Sequence, residues 1–284
     1  MIFKRKLSRK RIISLSIIFA LLVLCCVAAF WQGLTVEKYV MASDKVSANI
    51  RICLITDHHS SKYGKDQKAL VSAIDKGDPD VVLIAGDLFD EDRDTKNAEA
   101  LLKAIGGKYT CFYVTGNHEF RGDTALMKTL VRSYGVTVLE GDIRELTVNG
   151  QSISICGVDD LFGFGSYGEG SEEELDACIS ECYERIDKDS VTVLLTHRPQ
   201  QAHLYSKYGF DLVLAGHSHG GQVRIPFIVN GLYTPTDGFF PDYAGGAYNI
   251  SEQTKMIVSR GLCKDEKPRV FNPPELVFID VIPK

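Results

Sequence analysis

Ile12 to Trp31 (IISLSIIFALLVLCCVAAFW) is an uncharged stretch, after which the chain breaks into short apolar runs separated by polar turns. A helix over that stretch, at ~1.5 Å per residue, crosses the ~30 Å of a bilayer's hydrocarbon. Beyond it, NIRICLITD, DVVLIAGD, TCFYVTGN, SVTVLLTH and DLVLAGH are apolar at consecutive positions, the mark of strands buried on both faces. LTVEKYVMA alternates like a half-buried strand, and VTVLEG is a further strand. KALVSAIDKG, NAEALLKAIGG and TALMKTLVRSYG space their apolar residues as helices do. Asn149-Gly150, between RELTV and QSISICGV, predicts a two-residue hairpin. Ser171 with Glu174 predicts a capping box at a helix start, and QQAHLYSKYG a short helical piece. From VRIPFI to ELVFIDV the pattern is strands and loops. Helices interleaved with strands, then a strand-rich end, predict an α/β domain whose core is two stacked sheets.

Charge changes this picture at the N-terminus. The chain has 32 basic and 37 acidic residues, but Lys4, Arg5, Lys6, Arg9, Lys10 and Arg11 precede the apolar stretch and no acid occurs before Glu37. The remainder carries a net charge of −11, from 26 basic and 37 acidic residues. Such a domain repels a phosphate backbone, so no nucleic-acid partner is expected, and divalent cations suit it better. The positive-inside tendency makes residues 1–11 a basic cytoplasmic flank, 12–31 a transmembrane anchor and 32–284 an extracytoplasmic domain of a single-pass membrane protein. A cleaved signal peptide ending near Val27-Ala28-Ala29 is the alternative, although the apolar stretch exceeds the usual length of such a region. Eight cysteines include no C-x-x-C, which indicates neither a zinc ribbon nor a thioredoxin-like site.

The polar residues then fall in a pattern. LITDHH, IAGDLFD, VTGNHE, LLTHRP and LAGHSHGG each place Asp, Asn or His just past a buried strand, and six of the seven histidines lie in these five places. In stacked α/β sheets such strand ends share one edge, where sites are built. Asp, Asn and neutral His are donors for Mn, Fe, Zn or Ni. Asp57, His59, Asp87, Asn117, His197, His217 and His219 are seven candidates, too many for one four-coordinate ion and suited to two divalent metal ions sharing a carboxylate. Two such ions are standard apparatus for phosphoester hydrolysis. Side chains two apart on an extended strand share a face, so Asp57 and His59 are expected to converge while His58 turns away.

The motifs D-x-H, G-D-x-x-D, G-N-H-E, H and G-H-x-H, in that order from Asp57 to His219, resemble those of the calcineurin-like metallophosphoesterase superfamily. GHSHGGQVRIP, GLYTPTDGFFPDYAGGAY, SRGL and PELVFIDV look like its bacterial membrane-associated branch, similar to UDP-diacylglucosamine hydrolase. The resemblance covers nearly everything after the anchor and implies a four-layer α/β/β/α sandwich. It implies that Asp57, His59 and His219 hold one ion, Asn117, His197 and His217 the other, and that Asp87 bridges. It gives His118 a substrate-facing role, stabilising the transition state or protonating the leaving oxygen, with Asp90 orienting it. Two positions depart from the pattern: His58 replaces an apolar residue, and Cys263-Lys264 stands where the branch often has Gly-Asn.

The expected activity is phosphoester hydrolysis, most concretely a phosphodiesterase acting at the outer membrane surface on a lipid-linked phosphodiester or pyrophosphate. A phosphomonoesterase acting on nucleotides or phosphoproteins, and a metal-stabilised binding protein without activity, are the alternatives. The aromatics Phe162, Phe164, Tyr233, Phe239, Phe240 and Tyr243 fit either a substrate rim or loop packing. Arg198 fits either a phosphate contact or an ion pair, and His203 a surface position.

Overall fold

The structure, a computed structural model, describes residues 8–165, 170–264 and 268–284. Lys4, Arg5 and Lys6 of the basic flank, and residues 166–169 of the glycine-rich loop, lie outside the described residues. Helix α1 (Arg9–Ala29) starts at Ser8, whose hydroxyl accepts from Arg11 N, and buries only Ala29. It is long and apolar enough to cross a membrane. Its end precedes the expected Trp31 because Phe30 leaves helical geometry and caps it.

The chain then forms β1 (Thr35–Ser43), β2 (Ile50–Ile55), α2 (Lys68–Gly77), β3 (Val81–Ala85), α3 (Lys96–Ile105) and β4 (Cys111–Val114). The short α4 (Asn117–Arg121), α5 (Thr124–Ser133) and β5 (Thr137–Val138) complete the first half. The second half runs β6 (Asp142–Val148), β7 (Gln151–Gly157), α6 (Glu172–Arg185), β8 (Val191–Leu195), α7 (Ala202–Tyr205) and β9 (Leu212–Ala215). Five strands follow: β10 (Tyr233–Thr234), β11 (Gly238–Phe239), β12 (Gly246–Asn249), β13 (Lys255–Val258) and β14 (Glu275–Pro283).

Two six-stranded sheets result, ordered β1-β14-β2-β3-β4-β5 and β12-β13-β9-β8-β7-β6. The parity of each strand sorts its side chains between layers. Ile52 and Leu54 of β2, Leu83 and Ala85 of β3, and Val191, Val193 and Leu195 of β8 meet in one core between the sheets. Their neighbours Cys53, Ile55, Val82 and Ile84 face the other way, against Leu70 and Ile74 of α2 and Leu101, Leu102 and Ile105 of α3. Leu194 and Val213 likewise pack on Leu175 and Ile179 of α6. Three apolar cores separate four layers, which is the α/β/β/α sandwich.

Local signals behave as their chemistry dictates. Asn149 and Gly150 adopt φ of 50° and 79°, the left-handed pair that a two-residue turn between β6 and β7 requires. Ser171 accepts from Glu174 N, but the Glu174 carboxylate accepts from Gly165 N rather than closing the capping box. β14 inserts between β1, to which it is parallel, and β2, to which it is antiparallel. That return of the C-terminus into the first sheet has no signal in the strand pattern itself.

Candidate metal centre

Each candidate residue leaves a strand at the same edge of the sandwich, and the backbone there is bent. β2 ends at Ile55, so Asp57 and His59 are past the strand, with φ of 49° and 45°. The expected strand alternation is therefore not what separates them from His58. Left-handed residues on either side of it do so, and His58 is buried with its ring stacked 6.1 Å from that of Tyr63. Asp87, His217 and His219 also have positive φ, so five of the seven candidates occupy a conformation unfavourable by about 1 kcal/mol each. Strain held in so many neighbours at one place is a mark of function rather than of packing.

The side chains form two groups with one member in common. Asp57, His59, Asp87 and His219 bring ligand atoms within 4.8 Å of one another, and so do Asp87, His197 and His217. His59 Nε2 and His197 Nε2 lie 3.6 and 3.2 Å from the same oxygen, Asp87 Oδ2. His219 Nε2 lies 3.5 Å from Asp57 Oδ1, and His217 Nδ1 3.2 Å from His197 Nε2. Backbone groups fix the carboxylates: His217 N donates to Asp57 and His118 N to Asp87 Oδ1 at 2.9 Å. Outer partners set the histidine tautomers. His197 Nδ1 donates to Ala85 O at 2.7 Å, and His59 Nδ1 is 3.1 Å from Asp90 Oδ2, so each ring turns Nε2 inward.

These donors fit divalent ions on their own evidence. Asn117 Oδ1 is buried with no hydrogen-bond partner among the described residues, as an oxygen reserved for a cation would be. Asp87 is held well below the usual carboxylate range: burial pushes it up, and His197, His59 and His118 outweigh burial. Burial is also the largest influence on His197, lowering it, yet Asp87 and Asp57 raise its pKa to about 10. His217 and His219 go the other way, held low by burial and by the neighbouring histidines. The centre opens into a cavity of about 240 Å³ lined by Asn117, His118, Arg121, Gln222, Pro235 and Thr236 among others.

Asp90, expected to orient His118, is grouped with both His118 and His59 but makes its hydrogen bond to His59. It sits on His59, while His118 Nδ1 is 3.9 Å from Asp90, beyond hydrogen-bond reach, and 2.5 Å from Glu91 Oε2. The turn after β3 aims Asp90 at the ligand candidate His59 and the next residue, Glu91, at His118. Glu119 is a further participant: its carboxylate accepts from Asp87 N, Phe89 N and Gly116 N, tying the β3 turn to the β4 turn. The G-N-H-E string contained it. Cys263 brings its sulfur into one group with His59 and His219. Arg198, by contrast, makes a buried two-bond pair with Asp160, at 2.7 and 3.0 Å, and His203 pairs with Glu172 at the surface.

Residues 50–221 match the family model described as calcineurin-like phosphoesterase. The chain belongs to this family. It is 31% identical over 240 residues to a metallophosphoesterase of Campylobacter jejuni, a match covering 82% of this chain and 59% of the relative. It is 28% identical to a transmembrane protein with metallophosphoesterase domain of Bos taurus, covering 80% of this chain and 51% of that one. The chain thus spans about half to three fifths of these two relatives. Among solved structures, a 5'-nucleotidase precursor from Thermus thermophilus superposes with a TM-score of 0.50 at 13% identity, over 82% of this chain and 54% of that one, and supports the fold. A calcineurin-like phosphoesterase hydrolyses phosphoesters with divalent metal ions, and the clustered Asp and His residues suit that role.

Proposed function

We propose that this chain is a membrane-anchored phosphodiesterase with two metal ions, acting outside the cytoplasm on a lipid-linked phosphodiester or pyrophosphate. The observation that carries the dinuclear assignment is Asp87 shared between two ligand groups. In this reading Asp57, His59 and His219 would hold one ion, Asn117, His197 and His217 the other, and Asp87 would serve both. When bound, the ions supply Lewis-acid polarisation of the phosphoryl group and a water acidic enough to attack at neutral pH.

The remaining work falls to the protein. His118 stands at the cavity rim with Nδ1 on Glu91 and Nε2 accepting from Arg121 at 3.3 Å; released from Arg121 and protonated, Nε2 would give its proton to the leaving oxygen. Glu91 holds that ring, and Asp90 orients His59. The anchor reading rests on α1 and the basic flank, and the lipid-linked substrate on the UDP-diacylglucosamine-hydrolase-like C-terminal motifs and on the aromatic hairpin beside the cavity.

Purified full-length protein should contain two divalent ions per chain by elemental analysis and hydrolyse a chromogenic phosphodiester faster than the matching monoester. The opposite preference makes it a monoesterase, and no hydrolysis of either with both metals present makes it a binding protein. In vesicles, a lipid-linked diester should be cleaved with higher kcat/KM than its deacylated analogue; equality removes the lipid-linked substrate.

A further inference from the structure

Twelve consecutive residues, Ile225 to Thr236, carry no charge in a domain whose net charge is −11. They begin with a turn closed by Ile225 and Val229, which exchange backbone hydrogen bonds of 2.9 and 2.8 Å. At its tip Phe227 is fully exposed with φ of 68°, and Ile228 is 80% exposed. A bulky residue in the left-handed region with its ring entirely in water has no stability rationale, since burial would favour it by about 2 kcal/mol. Beside this turn the chain continues into β10 and β11, where Tyr233, Phe239 and Phe240 are exposed and touch ring to ring. Exposed apolar clusters of this size mark an interaction surface.

What this surface faces follows from its place. The segment Arg269–Asn272 joins three things. Phe271 N donates to Ala29 O, the last residue of α1, at 2.7 Å. Val270 bridges Val223 and its carbonyl accepts from Arg224 N, at the base of the Ile225–Val229 turn. Asn272 Nδ2 donates to His219 O at 2.7 Å, on the backbone of a proposed ligand. The end of the apolar helix, the apolar turn and the metal centre are thus hydrogen-bonded to consecutive residues of one strand-like segment. Pro235 and Thr236, between β10 and β11, line the mouth of the cavity.

We propose that the Ile225–Val229 turn and the Tyr233–Phe240 hairpin form a second membrane contact, dipping into the bilayer beside α1 and seating the cavity mouth at the lipid surface. This rests on the reading of α1 as a membrane anchor. The exposed apolar side chains Phe227, Ile228, Tyr233, Phe239 and Phe240 make the contact, and the one charge in the two segments, Asp237, has its carboxylate bonded to Thr234 and Gln200, so the partner is the apolar and neutral part of the bilayer rather than anionic headgroups. A bilayer-borne phosphoester then reaches the metal centre without leaving the interface.

The chain has a single tryptophan, Trp31, which allows a direct test. Full-length Trp31→Phe/Phe227→Trp protein is reconstituted in phosphatidylcholine vesicles with and without brominated acyl chains. The expected result is co-flotation with the vesicles, blue-shifted emission, and loss of most of that emission on bromination. Trp31→Phe/Phe239→Trp should behave likewise and serves if the first variant does not fold. Flotation with unquenched emission in both variants overturns the second contact and leaves the anchor standing. Failure to float overturns the anchor reading and the contact with it.

Discussion

Asp87 is the side chain on which both ligand groups depend, so its removal discriminates sharply. Asp87→Ala should lose activity and at least one ion, and a variant that retains two metals by elemental analysis sinks the bridging assignment. His118→Ala should instead keep both ions and lose turnover by roughly 10² to 10⁴-fold, the range for a general acid. The neighbouring acids should split in the same way: Glu91→Gln acts through His118 and should change kcat and its pH profile, while Asp90→Asn acts through His59 and should weaken metal binding. A proton also competes with the ions. His197 is held charged up to about pH 10 by Asp87 and Asp57 against its burial, whereas His217 and His219 are held neutral. An ion at His197 Nε2 displaces that proton, so affinity for the second ion should rise with pH across the neutral range, by about tenfold per unit for one proton. Calorimetry in buffers of different ionisation enthalpy counts it, and zero protons released contradicts the ligand assignment. Most of these residues were legible because polar donors after fully apolar runs stand out. Glu91 was not, since one residue of turn curvature decides which of two adjacent acids meets His118.

At the scale of elements, the centre depends on how closely two turns approach each other. A methyl group on Gly86, whose φ is 79°, would lie 2.6 Å from both Gly116 N and His197 Nδ1. Gly150, in the β6–β7 turn, has the same φ of 79° and, among the described residues, no heavy atom within 4 Å of such a methyl beyond its chain neighbours. The backbone penalty is therefore shared, about 1 kcal/mol, and the steric one is not. Gly150→Ala should lower Tm slightly and leave metal content intact; Gly86→Ala should lower Tm further and lose metal. Equal effects on metal content would mean the β3 turn does not position the site. The same contrast explains what the sequence revealed about elements. β2, β3, β4, β8 and β9 are apolar on both faces because the other sheet packs on one side and helices on the other, and the N-G turn is dictated by its two left-handed residues. The position of β14 depends on pairing between the chain's two ends, which no local pattern encodes. The bend that turns His58 onto Tyr63 begins only after β2 stops, a boundary that a period-two pattern does not locate.

For the whole molecule, the decisive relation is between the domain and α1. The domain is not held on a free tether, because Phe271 N donates to Ala29 O and Thr35 N to Pro274 O, so both ends of the segment that follows the helix are tied to the domain near β14. Apolar length made α1 legible, but this docking joins residues distant in sequence and had no signal. In the proposed topology the side on which the domain lies is set by charge: three basic residues precede α1 and three more open it with no acid, and the net charge after it is −11. Moving that basic flank across a bilayer against the positive-inside tendency is unfavourable, so the domain should be outside. Protease added to intact cells lacking an outer membrane, or to spheroplasts, should degrade the domain while a cytoplasmic marker survives. Permeabilisation should add nothing to the loss. If the domain survives in intact cells and is digested only after permeabilisation, it faces the cytoplasm, and a substrate in the outer leaflet is excluded with it. Replacing Lys4, Arg5, Lys6, Arg9, Lys10 and Arg11 with Gln then tests the cause, since protection from protease should rise in that variant only if these charges set the orientation.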